Sequence, residues 1–456
     1  MGSPAGWPSL LLLLAGCSLA PRYVRPEAPV AEAWPAPASD GPTFDAPAFG
    51  WQDAFPDPRL RALVEASLAA NRDLRVAALN VERARALYRI ERADRLPSLA
   101  LQAGAAFTNP SAPGEPVGTS YQVGGLVAAF ELDFFGRVKS LSDAALATYL
   151  ATEEAARSAR STLVAEVASA YLAERAYAEQ LALAEQSLAA REATFTLDRQ
   201  RFDAGVASEV AFRQSETLVE SARVSVAVLT RGRGQAENAL VLLVGGPLGE
   251  LPDALPLADQ GFRTDGAVGV PSTVLLERPD VRAAEQRLRS ANADIGAARA
   301  AFFPRISLTA SAGLASADLL GLFAGGVWSF LPSLTQPIFE FGKLQAGLRV
   351  ANVDRDIAVA SYEKAIQTAF REVADALVAR GPLDAQVEAQ ARLRDAEARR
   401  LELARQRYEA GVTSNLELLD AERSLFDAER GLVQARQLRL SNAVDLYRAL
   451  GGGAVE

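Results

Sequence analysis

The stretch "QRFDAGVASE", residues 200–209, returns as "QRYEAGVTSN" at residues 406–415. In the first copy a long run without Gly or Pro meets Asp203-Ala204-Gly205. Glycine there can take the left-handed conformation that ends a helix, and Ser208 can cap the next one. The phrase reads as a tight reversal between two antiparallel helices, written twice. Its spacing recurs along the chain: Pro97 in "RLPSLAL" matches Pro304 in "FFPRISLTA", Gly136 in "FFGRVKS" matches Gly342 in "EFGKLQA", and the paired glycines of "NALVLLVGG" match those of "NAVDLYRALGGG". The shift stays at 206 or 207 residues throughout (411 − 205, 304 − 97). The chain is two copies of one unit.

Outward from the reversal, each unit has the same order of elements. Residues 57–96 are rich in Ala, Arg and Leu with helical periodicity, and Pro97 stops them. "SLALQAGAAFT" then alternates, with Leu99, Leu101, Ala103, Ala105 and Phe107 on one face and Ser98, Gln102, Gly104 and Thr108 on the other. After a Pro/Gly-rich loop, "YQVGGLVAAFELDF" returns, so residues from about 98 to 134 are predicted to form a β-hairpin. In the second copy, at about 305–340, Ile306, Leu308, Ala310, Ala312 and Leu314 alternate with Ser307, Thr309, Ser311 and Gly313. Strands of this length with one apolar face suit the wall of an outer-membrane barrel. An ordinary sheet with one solvated face is the other arrangement that the alternation allows.

Arg137 to Ala204 contains neither Gly nor Pro, which allows one helix of about 100 Å at 1.5 Å per residue. On it Leu163, Val164, Val167, Ala170 and Tyr171 form a packing stripe. The return helix of the second copy places Leu419, Phe426, Val433, Leu440 and Tyr447 seven apart, beside Ala421, Ala428 and Ala435. A strict heptad flanked by small residues predicts closely packed, supercoiled helices. The first copy keeps the interval at Phe212, Val219, Val226 and Leu240 but breaks it at Arg233. Gly381-Pro382 is predicted to break the second long helix.

Composition narrows the function. The chain has no histidine, one cysteine and a net charge of −9. Without the side chain most used for proton transfer near neutral pH, catalysis is poorly served, and the chain is not expected to be an enzyme. One cysteine makes no intrachain disulfide and no thiolate metal cluster, so no metal site or cofactor is expected. An acidic chain lacks the basic stripe of a nucleic-acid binder.

The lone cysteine ends the apolar run "SLLLLLAGC". That run is too short to span a bilayer as a helix and fits a secretory signal. "LAGC" resembles the lipobox of bacterial lipoproteins, which makes residues 1–16 a signal peptide and Cys17 a lipid-bearing first residue, with Ser18 favouring the outer membrane. A buried structural cysteine is the alternative. No Lys or Arg precedes the run, a departure from the lipoprotein pattern. Residues 17–58 read as an extended Pro/Ala-rich strap, 59–250 as the first repeat, 251–276 as a linker and 277–456 as the second repeat.

Four membrane strands cannot close, and an open edge in lipid leaves unpaired backbone groups. Two chains would give eight strands packed solid with side chains, whereas three give twelve and leave a pore. With lipobox, strap, hairpins and the tips "RFDAGVAS" and "RYEAGVTSNLELLDAE", the chain resembles the outer membrane factor family of TolC/OprM-like channels, and most closely its NodT-type efflux lipoproteins. The resemblance covers nearly the whole mature chain. It implies a homotrimer, with a 12-stranded β-barrel in the outer membrane continuous with a long α-helical barrel in the periplasm. Its tips would dock on a periplasmic adaptor and an inner-membrane pump of the resistance-nodulation-division type, making the protein a passive exit duct for drugs or other small molecules. A lipoprotein adaptor or a structural coiled-coil protein of an envelope-spanning export complex is the competing class.

The resemblance also assigns sites. Gly205 with Val206, and Gly411 with Val412, mark the adaptor-facing tips, where simple helix caps are the plainer reading. Glu417 and Asp420 correspond by position to the acidic pair that constricts the family's periplasmic mouth. Spaced i, i+3, they share a helix face, and a ring of such acids selects cations. Ser414 to Glu417 is also a capping box, which accounts for Glu417 but not Asp420. The first copy has Ala211 and Gln214 at the matching places, and Thr413 stands where the resemblance leads one to expect a basic partner for the acids.

Overall fold

The computed structural model describes residues 18–34, 50–109, 117–262, 272–410, 412 and 415–452. The segment before Ser18 lies outside them, and so does Cys17. The described elements run α1 (Trp51–Ala54), α2 (Pro58–Ala70), α3 (Arg72–Ala93), β1 (Ala100–Thr108), β2 (Gly118–Glu131), α4 (Arg137–Asp203), α5 (Glu209–Val244), α6 (Pro279–Ala300), β3 (Arg305–Ser316), β4 (Gly326–Thr335), α7 (Lys343–Glu409) and α8 (Asn415–Ala449). From β1 to α5 and from β3 to α8 the order is the same, strand, strand, long helix, return helix. The chain divides into two compact units that do not follow the repeats. One takes the segments up to Ala28, Leu79–Glu154 and Arg282–Ala365, the other Pro29–Ala78, Ala155–Val281 and Ile366–Glu456, so each draws on both copies.

The first unit holds a four-stranded antiparallel sheet in the order β1-β2-β3-β4. The two hairpins are one structure shifted in number. Leu101 pairs with Gly125 and Ala103 with Val123, while 207 residues on Leu308 pairs with Pro332 and Ala310 with Phe330. The row Leu101, Gly125, Ala312, Trp328 crosses all four strands on one face, which is exposed and apolar. The opposite face carries Gln102, Gln122, Ser307, Thr309, Ser311, Ser329 and Ser333, with hydroxyl pairs Ser311–Ser329 at 2.7 Å and Ser307–Ser333 at 3.0 Å. Val327 and Leu331 depart from the alternation by standing on this polar face. β2 carries a bulge between Val127 and Phe130, where Ala129 takes a left-handed φ of 47° and its N–H donates to Thr309 Oγ1 at 3.1 Å.

In the same unit residues 19–25 lie extended along α6. Arg299 donates to the Leu19 carbonyl at 3.1 Å and Asn292 to the Pro21 carbonyl at 2.8 Å. A Cβ on Gly296 would sit 2.8 Å from Ala20, so a glycine there lets the strap lie flat. Buried Glu285 is the anchor: it accepts two hydrogen bonds from Arg25, at 3.1 and 2.7 Å, one from Tyr23 at 3.1 Å and one from Arg289 at 2.8 Å. Burial and the neighbouring carboxylate push the Tyr23 phenol up to about 12.

The second unit is helical. Its core joins Leu60, Leu63 and Val64 of α2, Val164, Val167 and Tyr171 of α4, Leu240 and Val244 of α5, and Val433, Leu440 and Tyr447 of α8. The predicted stripe on α4 and the α8 heptad thus face inward, and Ala421, Ala428 and Ala435 are buried as well. Asp57 caps α2, accepting from the N–H groups of Arg59 and Leu60, and its other oxygen takes the Tyr171 hydroxyl at 2.7 Å. Arg233, the break in the α5 heptad, is paired at 3.1 Å with Glu174, a nearly buried carboxylate on α4. The cation replaces an apolar residue because an acid faces it.

One expectation is corrected. The second long helix is not broken at Gly381-Pro382: α7 runs continuously from Lys343 to Glu409 with Pro382 inside it. Proline removes the N–H that would bond to the carbonyl of Val378. Val378, Gly381 and Pro382 are all exposed, so water can take that carbonyl and the ring meets no packed neighbour.

Candidate functional site

Both helix reversals lie in the second unit. At the first, α4 closes with Gly205 at φ 73°, the Gly205 N–H on the Phe202 carbonyl and the Val206 N–H on the Arg201 carbonyl, each at 2.9 Å. These two bonds are those of a Schellman motif. Ser208 Oγ accepts from the Ala211 N–H at 3.2 Å and starts α5. Phe212 fills the turn between Phe195 and Phe202, with ring centroids 5.4 and 5.1 Å away. At the second reversal the Val412 N–H bonds to the Arg407 carbonyl at 2.9 Å, the equivalent closing bond. Gly411, Thr413 and Ser414 lie outside the described residues.

Closing the turns through backbone bonds leaves apolar side chains outside. Val206 is 77% exposed and Val412 68%, and so are Val210 at 67% and Leu416 at 61%. The last two are again 206 apart. Sequence reading named the valines beside each glycine and missed this second pair. Its signal was an apolar residue in the first turn of both return helices, where capping alone asks for polar ones.

The acidic pair is not free. Glu417 accepts from Arg407 Nη1 at 2.8 Å. Asp420 accepts from Arg400 Nη2 and, at 2.8 Å, from Arg423 Nη2. Arg400 also reaches Glu397 at 3.2 Å and Ser424 Oγ at 3.3 Å. In place of a basic residue near Thr413, Arg407 and Arg400 of α7 reach across the hairpin from positions that nearly mirror the acids about residue 411, and Arg423 adds a partner from α8 itself. The Arg400 hydrogen bond holds the Asp420 carboxyl below the usual carboxylate range. Two residues on, burial pushes Glu422 the other way, against the pull of Arg405 and Arg191. Between the return helices a groove of about 240 Å³ runs past Gln214, Leu218, Leu416 and Leu419, with Asp420 and Arg423 among its lining residues.

This arrangement offers two chemistries: apolar knobs on closed turns, and carboxylates paired with arginines. The sequence profile of the outer membrane efflux protein family matches residues 63–246 and 270–452, one match to each copy. The solvent efflux pump outer membrane protein SrpC of Pseudomonas putida is 47% identical over 456 residues, covering 97% of each chain. Outer membrane protein OprJ of Pseudomonas aeruginosa is 47% identical over 469 residues, covering 99% of this chain and 97% of its own. The crystal structure of the open state of the Neisseria gonorrhoeae MtrE outer membrane channel superposes with a TM-score of 0.90 at 43% identity, over 96% of this chain and 99% of that one.

Proposed function

The chain belongs to the outer membrane efflux protein family, and we propose that it works there as one third of a homotrimeric exit duct. Three four-stranded sheets would close a 12-stranded barrel with its exposed apolar face toward lipid, and the long helices would form the periplasmic barrel. Cys17 would carry the lipid, two residues from the Leu19 carbonyl that Arg299 holds. The knobs Val206, Val210, Val412 and Leu416 would dock on a periplasmic adaptor, itself bound to an energised inner-membrane pump. Glu417 and Asp420 would line the mouth between the tips. Transport through the duct would be passive, with substrate choice left to the pump, so its own wall need not bind any substrate tightly.

The observation that carries this reading is the sheet: an exposed apolar face such as Leu101, Phe107, Trp328 and Phe330 present, with both edge strands unpaired, has no place in water. The test is to add the detergent-purified protein to a planar bilayer. Discrete conductance steps are expected of a duct, and their absence would favour an adaptor or a strut. Val206→Asp and Val412→Asp should abolish efflux in cells while leaving those steps intact.

A further inference from the structure

The four strands hold two charged side chains, Glu131 at the end of β2 and Arg305 at the start of β3. Both belong to the polar face: Glu131 lies opposite Ser307, and Arg305, opposite Thr335, is two residues before Ser307 on the same strand. They also share one end of the sheet, where α6 leads into β3 and β2 leads on to α4. The rest of that face carries amides, hydroxyls and small or apolar groups, from Gln102 and Gln122 to Ser311 and Ser329.

The two charges are treated differently. Glu131 accepts from Arg137 Nε at 2.8 Å and from Nη2 at 2.6 Å, so its charge is offset within the chain. Arg305 is exposed and makes no side-chain hydrogen bond or ion pair among the described residues. Building the hairpins does not require either charge, because the repeat equivalents are Ser98 for Arg305 and Pro337 for Glu131. Closing a barrel would not supply a partner strand either. β3 is an inner strand, paired on both sides within its own chain, and a neighbouring chain can join only at β1 or β4.

We propose that Arg305, repeated once per chain around the wall of the duct, is a transient binding site for the anionic groups, carboxylates above all, of molecules on their way out. A guanidinium presents its N–H donors in a planar fork that matches a carboxylate. A ring of like charges in a water-filled lumen with low-dielectric walls raises the local concentration of the opposite charge. The neutral wall above it leaves Arg305 as the strands' uncompensated charge, so the preference for anions arises at one depth. Its exposure keeps each contact weak, and a passing group is released as readily as it is bound.

The inference rests on the duct reading, and its test separates the two. Full-length protein is added to one side of a planar bilayer. The helices α4 and α7, each 67 residues and about 100 Å long, are not apolar enough to cross, so the barrel opens to the far side. Trimesate, a small aromatic tricarboxylate, is added there, with its neutral triamide as control. Wild type should be blocked by trimesate and not by the amide. The half-blocking concentration should rise by about fivefold in R305Q, as loss of an exposed ion pair implies, and stay near wild type in R305K. It should fall in E131Q, which leaves Arg137 without its carboxylate. Conductance steps in each variant show that the channel has formed. Equal block in wild type and R305Q, or no block of wild type, would overturn the site and leave the duct standing. If R305Q forms no channel, unchanged block in E131Q would overturn the site. No steps from wild type would overturn the duct and the site with it.

Discussion

Arg201, near the end of α4, donates from Nη1 to the hydroxyl of Tyr408, near the end of α7, and its guanidinium carbon lies 5.6 Å from the centroid of that ring. The contact joins the two copies' tips and follows from a difference between them. Arg407, the repeat equivalent of Arg201, is taken by Glu417 of its own hairpin. Ala211 stands at the position equivalent to Glu417, so Arg201 has no such acid and crosses to the neighbouring tip. Tyr408 can receive it because the equivalent Phe202 has gained a hydroxyl.

Tyr408→Phe keeps the ring under the cation and removes the acceptor, whereas Tyr408→Ala removes both. At an exposed site the cation–π part is worth roughly 0.5–1 kcal/mol, and the net hydrogen bond a similar amount. Amide hydrogen exchange in the last turns of α4 and α7 should therefore quicken by a few-fold in Tyr408→Phe and by more in Tyr408→Ala. Arg201→Ala combined with Tyr408→Ala should add nothing further. Additive effects would mean that the contact does not couple the tips.

Legibility in the sequence tracked how local the cause was. The hairpins, the long helices and the inward heptad of α8 follow from period and from the absence of breakers. A repeat adds long-range information that periodicity lacks, because two copies joined by like hairpins must meet at one seam. Side-chain partners were harder. Arg400 and Asp420 are twenty residues apart and meet because an antiparallel hairpin reflects α7 onto α8. Pro382 misled because its usual cost assumes a packed neighbour and a dry carbonyl, and its surroundings are exposed.

Glu285→Ala removes the group that fixes Tyr23 and Arg25 to α6 while leaving Arg299 and Asn292 in place. Although burial alone would raise it, hydrogen bonds from Arg25 and Arg289 hold the Glu285 carboxyl below its ordinary value. A charge-assisted hydrogen bond is worth about 1.5–3 kcal/mol net. Tryptic cleavage after Arg22, the susceptible bond because Arg25 precedes Pro26, should speed up by about tenfold or more. An unchanged rate would show that the carbonyl contacts alone hold the strap.

Two glycines two positions apart on α5 should respond with opposite signs. A Cβ at Gly232 would stand 2.6 Å from Tyr177 Cε1 on α4, whereas nothing lies within 4 Å of one at Gly234. Gly234→Ala should stabilise the helix by about 0.5–1 kcal/mol. Gly232→Ala gains the same propensity but forces the ring aside, at a cost of about 1–3 kcal/mol. Thermal unfolding in detergent should place the two variants on either side of wild type. If both fall on the same side, the close approach of α4 and α5 at Tyr177 is not tight.

The tip arginines give the mouth a sharper test than removal of its acids alone. Asp420 is held by Arg400 and Arg423, so its field is partly cancelled and its contact with Arg400 ties α8 to α7. Asp420→Ala and Arg400→Ala both cut that tie, and single-channel conductance should rise in both. Their effects on selectivity should oppose: without Asp420 the mouth loses a negative charge and cation preference falls, whereas without Arg400 the carboxylate keeps only Arg423 as a partner and cation preference rises. The pH dependence has a fixed sign. Because the Asp420 pKa is lowered by the contact, the tie is fully present above the ordinary aspartate value of about 3.9 and is lost only as pH falls through the lowered one. Glu422 is raised by burial, so it binds its proton first on acidification, and its neutral form is the one that burial favours. The first change in conductance on acidification should therefore be reduced in Glu422→Gln and persist in Asp420→Ala. If Asp420→Ala and Arg400→Ala shift selectivity in the same direction, the pair acts as a strut and its charge does not face the permeating ion.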